Sequence, residues 1–284
     1  MNRLSHHDHR RDLEGLTYVY PVLSRRSGGL SIGINLSPNN ACNFACLYCQ
    51  VPDLIRGSSP VADTGRLTLE LLKLLEDHRS GAFHARHEIS PEEGVIRDLA
   101  ISGNGEPTSC PNLIEVIRTL DEILIRQQIH DSVPKVLITN GSLLHKRPVR
   151  TALGEWGDIG GEIWFKLDRG TSEGMDTLNQ IHYPMERVLR NLERCLACAP
   201  TWIQTCLVSI DGREPEHFEW NAYLELIGNA QKLNPLRLRG VHFYGLARPS
   251  MQPGKDRLSP VSKSLPEKLM AEIRKLGLEA TFHA

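Results

Sequence analysis

Three cysteines stand within eight residues, Cys42, Cys46 and Cys49, in a C-x3-C-x2-C spacing. The run before them, Leu30 to Leu36, alternates apolar with small or polar residues, which predicts a strand with one buried face. Ser37-Pro38-Asn39-Asn40 ends that strand with turn-forming residues. The three thiols are therefore expected on a short loop at the carboxyl end of a strand, able to turn inward around one centre. Three donors is an informative number. Structural zinc is normally closed by four ligands, and an iron–sulfur cubane takes four thiolates. Three thiolates leave one iron of a cubane open to a small molecule. Buried structural cysteines are usually dispersed through a core, unlike these. A zinc knuckle would need a nearby histidine, and none follows Cys49 until His78. Seven cysteines, an odd number, with no secretory leader read at the amino terminus, speak against a disulfide framework.

The 284 residues suffice for one large domain, and a formal net charge of −1 supplies no global field toward nucleic acid or an anionic surface. No apolar run reaches membrane-spanning length, so no membrane partner is expected and a reducing, cytoplasmic setting is. Residues 1–13, with His6-His7-Asp8-His9, read as a mobile tail. Tyr18 to Leu23 is apolar and is placed at a rim, and Arg25 and Arg26 form a basic turn, either solvated or facing an anionic group.

Past the cysteines the chain alternates helices and strands. A helix is predicted around Leu67 to Leu75 with Thr64 or Thr68 as cap, then a loop over 80–96, then a strand from Asp98 to Ser102. That strand runs into Gly103-Asn104-Gly105-Glu106-Pro107, where glycines permit close backbone approach to a ligand and Glu106 can pair with a cation. An amphipathic helix over Pro111–Ile129 follows, then a strand Lys135–Gly141 ending in Asn140-Gly141, and a short basic helix over His145–Ala152. In the strand Gly161 to Asp168, Lys166 and Asp168 alternate with apolar neighbours and share one face. A helix over Met185–Ala197 carries Cys195, with Cys198 beyond it. The strand Trp202–Asp211 holds Gln204 and Thr205, polar candidates for cofactor or substrate contact. A helix over Glu216–Leu233 and a sixth strand, Leu238–Gly245, precede Arg248, a candidate anion binder. The loop Pro249–Pro260, a helix over Pro266–Leu276 and a short strand Glu279–Phe282 complete the chain. Cys195, Cys198 and Cys206 read as small hydrophobes, with an auxiliary cluster as the alternative. Strands alternating with helices imply parallel β/α units, with special residues at the carboxyl ends of strands.

The cysteine spacing with Tyr48 before the last cysteine, and the G-x-G-E-P turn one helix and one strand later, resemble the signature of the radical S-adenosylmethionine (radical-SAM) superfamily. The resemblance covers about residues 30–250 and implies an α/β fold, a partial (β/α)6 barrel in one domain. It implies a [4Fe-4S] cluster on Cys42, Cys46 and Cys49 whose open iron binds S-adenosylmethionine. Gly103, Asn104, Gly105 and Glu106 would hold the ammonium end, Tyr48 the adenine side, and Asn140 and Gln204 would line the site. Lys166 and Asp168 resemble ribose- or carboxylate-contacting positions and are the catalytic candidates. A reductant such as flavodoxin or ferredoxin is implied. The stretches around the cysteines, SGNGEPT, ITNGSLL, WFKLD and VHFYGLARPS, look like iron–sulfur oxidoreductases related to tRNA-wyosine-synthesising enzymes. The substrate is thus either an unidentified small molecule or tRNA, with His145–Arg150 and Arg237–Arg239 as a candidate basic footprint. A non-enzymatic cluster- or metal-binding sensing module is the remaining alternative.

Overall fold

The computed structural model describes Leu4 and residues 15–24, 28–246 and 248–283. The basic turn at Arg25 and Arg26 and the His-rich tract lie outside the described residues, whereas Leu4 is buried in the core.

Among the described residues, one sheet of eight strands organises the chain. Strand β1 (Val19–Ser24) pairs antiparallel with β2 (Gly29–Asn35). Then β3 (Ile96–Ser102), β4 (Lys135–Thr139), β5 (Gly161–Lys166), β6 (Thr201–Cys206), β7 (Leu238–Tyr244) and β8 (Glu279–His283) add in parallel, in chain order. The result is a half-barrel with helices around it, matching the expected parallel β/α architecture and extending it by a strand at each edge.

The two faces of the sheet differ in chemistry, and that difference is written as period-2 alternation. Ile32 and Ile34 of β2, Leu99 and Ile101 of β3, Ile163 and Phe165 of β5 and Val241 and Phe243 of β7 are almost wholly buried, in one apolar core. The intervening residues, among them Ser31, Asp98, Trp164, Gln204 and Tyr244, line a cavity instead. Tyr20 crosses from β1 over Gly33, where a Cβ would fall 2.1 Å from the ring, and its hydroxyl meets Ser102 Oγ at 2.7 Å.

Helix α1 (Thr64–Arg79) is capped by Asp63, whose carboxylate accepts from Arg66 N, and not by Thr64 or Thr68 as predicted. The stretch predicted as loop contains α2 (Ala82–His87), which buries Phe83 and His87. Next come α3 (Leu113–Arg126), α4 (Arg147–Asp158), α5 (Ser172–Asn179), α6 (Met185–Cys198), α7 (His217–Leu233) and α8 (Ser264–Lys275). Helix α5 is absent from the sequence reading, although Thr171 caps it, its hydroxyl accepting from Gly174 N at 3.0 Å. The predicted strand Trp202–Asp211 stops at Cys206, and Ser209–Ile210 pairs instead with Leu258–Ser259.

The segment entering β1 is fixed by one carboxylate. Glu70 on α1 accepts the backbone N–H groups of Thr17 (2.9 Å), Tyr18 (2.8 Å) and Val19 (3.2 Å), and pairs with Arg66 Nε at 2.8 Å. Burial pushes its pKa up, but the converging donors outweigh burial and hold it below the usual value. Its contribution to stability is therefore complete above the unfolded carboxylate pKa, about 4.3, and is lost as pH falls through the lower folded value. Glu70→Ala strands these backbone donors and should cost about 3 kcal/mol at neutral pH. In urea melts across pH the variant should also lose less stability than wild type on acidification through that window.

Candidate functional site

The cysteine loop leaves the carboxyl end of β2 and is held from several sides. Ser250 Oγ donates to the carbonyls of Leu47 (2.5 Å) and Cys49 (3.0 Å), and Gln252 Nε2 donates to that of Val51 (2.6 Å). The Pro249–Pro260 loop thus clamps the cysteine loop. On the other side the end of α5 accepts from it, Leu178 O from Leu47 N at 2.8 Å and Asn179 O from Ala45 N at 3.3 Å. Glu219 of α7 positions α5 by accepting Gly170 N at 2.5 Å and the Thr171 hydroxyl at 2.6 Å.

The G-x-G turn packs directly beneath the cysteine loop. A Cβ on Gly105 would fall 2.0 Å from the Ala41 carbonyl oxygen and 2.4 Å from Ser37 Oγ. Because the first of these is backbone, Gly105→Ala should displace the loop and cost about 1–3 kcal/mol, read as a lowered thermal midpoint. Asn104 braces the same contact, its Nδ2 donating to Asn40 Oδ1 at 2.6 Å.

Glu106 is 2 % exposed. Its carboxylate accepts Thr108 N (3.0 Å), Thr108 Oγ1 (2.5 Å), Thr139 Oγ1 (2.6 Å) and Asn140 N (2.7 Å). Burial pushes its pKa up against these donors, and among the described residues no cation pairs with it. Thr108 and Thr139 were not singled out in the sequence, although both belong to the motifs that were. Asn140 also reaches the cysteine loop, its Nδ2 donating to Asn43 Oδ1 at 2.8 Å.

Lys166 and Asp168 share one face as predicted, with Nζ–Oδ1 at 3.0 Å. Asp168 is 2 % exposed and also accepts Tyr48 Oη (2.5 Å), Asn179 Nδ2 (2.7 Å) and Cys206 N (2.8 Å). Burial pushes its pKa up, but the Lys166 ammonium and these donors together hold it below the ordinary value. Lys166 Nζ also bonds the Tyr244 hydroxyl and lies 5.1 Å and 4.5 Å from the ring centres of Tyr48 and Tyr244.

These groups enclose two adjoining cavities. Cys42, Cys46, Glu106, Asn140, Lys166 and Asp168 line one of about 120 Å³. Cys49, Gly103 and Gln204 line the other, of about 350 Å³, and Tyr48 and Gly105 border both. Asn104 borders neither and serves as a brace. Thr205 is removed from the candidates: it is fully buried on the helix side, its hydroxyl on the Leu167 carbonyl (2.7 Å) and the Tyr223 hydroxyl (2.5 Å).

Whether this chemistry suits a cationic cluster follows from the donor set. Burial pushes the Cys42 and Cys46 thiols up to about 12, so thiolates there require a positive centre. Each of the two thiols also senses Cys49. The buried Asn104 Oδ1 and Asn179 Oδ1 have no hydrogen-bond partner among the described residues. Among the described residues no three His, Cys, Asp or Glu side chains close around a single metal ion. Cubane thiolates bind different irons and stand farther apart than the ligands of one ion. The residues fit a three-thiolate cluster beside a ligand with a cationic end. Cys195 lies on an outer helix against Thr201 (3.5 Å), while Cys206 lies at the other end of β6, about 16 Å away at strand rise. These cysteines do not gather around a second centre.

The half-barrel is the fold of the radical-SAM enzymes. A radical SAM methyltransferase from Sphaerobacter thermophilus superposes with a TM-score of 0.62 over 96 % of this chain and 71 % of its own, at 15 % identity. A point mutant of spore photoproduct lyase gives 0.51 over 93 % and 79 %, at 10 % identity. In sequence, the chain is similar to a UPF0026 protein of Helicobacter pylori, 33 % identical over 157 residues, 55 % of this chain and 44 % of the relative. It is 25 % identical over 228 residues to a UPF0026 protein of Synechocystis sp., covering 74 % and 70 %. The match thus spans less than half of the Helicobacter relative's length. No family model matches the chain. Among the described residues no helix is long and apolar enough to cross a membrane.

Proposed function

We propose that this protein is a radical-SAM enzyme acting on an organic substrate held in the half-barrel. The observation that carries this reading is that Cys42 and Cys46 share a cavity with Glu106, a buried carboxylate without a cationic partner among the described residues. Cys42, Cys46 and Cys49 would hold a [4Fe-4S] cluster. Glu106 and the Gly103–Gly105 backbone would hold the ammonium of S-adenosylmethionine. When bound, cluster and S-adenosylmethionine supply a 5′-deoxyadenosyl radical for hydrogen-atom abstraction. The chain's own part is positioning and exclusion of water. Tyr48, tied to Asp168, stands at the wall between the two cavities on the adenine side. Asn140 fastens the Glu106 turn to the cysteine loop. Gln204 faces the larger cavity and is available to cofactor or substrate. Lys166, between two tyrosine rings in the smaller cavity, would present its ammonium to the ribose or carboxylate of S-adenosylmethionine, and Asp168 keeps it oriented. The electron would come from a reductant such as flavodoxin or ferredoxin.

A small-molecule substrate is favoured over tRNA by the use made of two basic residues. Arg150 Nη1 donates to the carbonyls of Leu144 (3.0 Å) and His145 (2.7 Å), and Arg237 Nη1 to that of Ala197 (3.0 Å), so both serve as helix-end braces. The test is anaerobic reconstitution with iron and sulfide, then reduction in the presence of S-adenosylmethionine. The expected products are 5′-deoxyadenosine and methionine in equal amounts. A stable cluster that forms neither product points instead to a sensing module.

A further inference from the structure

Asn179, the last residue of α5, is 3 % exposed and faces the cysteine loop. Its Nδ2 donates to Cys46 Sγ at 3.2 Å and to Asp168 Oδ2 at 2.7 Å. Its Oδ1 is buried with no partner among the described residues. The orientation of the amide follows from chemistry: the opposite one would set a carbonyl oxygen against both a sulfur and a carboxylate. The protein therefore leaves a buried acceptor unsatisfied in order to aim both amide protons, one at a cysteine sulfur and one at an anion. An unsatisfied buried acceptor is destabilising, and an apolar side chain of the same shape would avoid it. Retaining the amide under those terms points to a use for the N–H···S bond itself.

We propose that Asn179 is a positioning residue that raises the reduction potential of a cluster held by Cys46, by donating to the Cys46 thiolate. This rests on the assignment of Cys42, Cys46 and Cys49 as cluster ligands. Hydrogen bonds to cluster sulfur draw off negative charge and favour the reduced state. Asp168 gives the donor its fixed aim. Its four donors, Lys166 Nζ, Tyr48 Oη, Cys206 N and Asn179 Nδ2, hold it rigidly in place. Because Lys166 and Tyr48 border the cavities, the same chain of contacts links what lies there to one sulfur of the cluster.

The test compares wild type with Asn179→Leu and Asn179→Asp after anaerobic reconstitution. Reduction potentials are read by dye-mediated titration, and iron, sulfide and far-ultraviolet dichroism report loading and folding. Asn179→Leu should bind a full cluster at a more negative potential. The reduced-to-oxidised ratio at a fixed poise should fall about tenfold, equivalent to about 59 mV for a one-electron couple. Asn179→Asp also removes the N–H donor to sulfur and, because two carboxylates this close share one proton, should shift it in the same direction. Fully loaded variants with the wild-type potential overturn the proposal, and so does loss of cluster uptake in both variants, which assigns Asn179 a purely structural role. Absence of a cluster in wild type would instead defeat the ligand assignment beneath it.

Discussion

Cys46→Ala should abolish cluster uptake and reductive cleavage of S-adenosylmethionine while leaving the apoprotein folded. Cys46 as a residue is half-buried with its thiol at the cavity wall, and the interactions the thiol makes there, chiefly with Asn179 Nδ2, are few. The packing loss from one sulfur is small, because the loop is held by Ser250, Gln252 and the end of α5 and not by the thiol. Functionally the loss is total, because two thiolates cannot replace the three-point attachment. Iron and sulfide per chain should fall to background, deoxyadenosine should fall below detection, and the dichroism spectrum should match wild type. Retained cleavage would remove Cys46 from the ligand set.

Glu106→Gln should leave the cluster in place and weaken S-adenosylmethionine binding by about 10- to 150-fold, the range for losing a charge-assisted hydrogen bond. The four donors on Glu106 hold it in position, and the amide keeps the shape while removing the charge. Its new N–H2 must face either the Thr108 N–H together with the Thr108 and Thr139 hydroxyls, or the Asn140 N–H, and neither backbone N–H can accept. Some loss of stability is therefore expected alongside the loss of affinity. Equilibrium binding to the reconstituted protein separates the two effects. Unchanged affinity in a folded, cluster-loaded variant would detach Glu106 from the ammonium.

Most of the strands were legible because they carry two chemically distinct faces. Ile32 and Ile34 against Ser31 and Gly33, or Phe165 against Trp164 and Lys166, repeat with period 2 however the rest of the chain folds. The Lys166–Asp168 pair followed from the same alternation. What stayed hidden carried a weak or misleading local signal. Pro21 makes Tyr18 to Leu23 look like a poor strand, yet β1 is an edge strand, where a missing N–H is tolerated. Helix α2 is six residues long between Gly81 and Glu88, both in left-handed conformation, so it offers neither periodicity nor a side-chain cap. Helix α5 is eight residues long and contains Gly174, which must be small because Glu219 lies against it. Asn179 and Cys46 are 133 positions apart, and Asp168 gathers donors from four separate segments. Only the folded chain brings those groups together. Thr205 failed in the opposite direction: a polar residue in an apolar strand was read as a site residue, while its hydroxyl serves a buried contact with Tyr223.

The central claim is that three cysteines leave one iron free for S-adenosylmethionine beside Glu106. It is tested most directly by the EPR spectrum of the anaerobically reconstituted, reduced protein with and without S-adenosylmethionine. A cubane signal whose g-values shift on addition, in wild type and not in Glu106→Gln at the same concentration, is the predicted result. A cubane signal unmoved by S-adenosylmethionine, or a protein that takes up zinc and refuses iron, would contradict it.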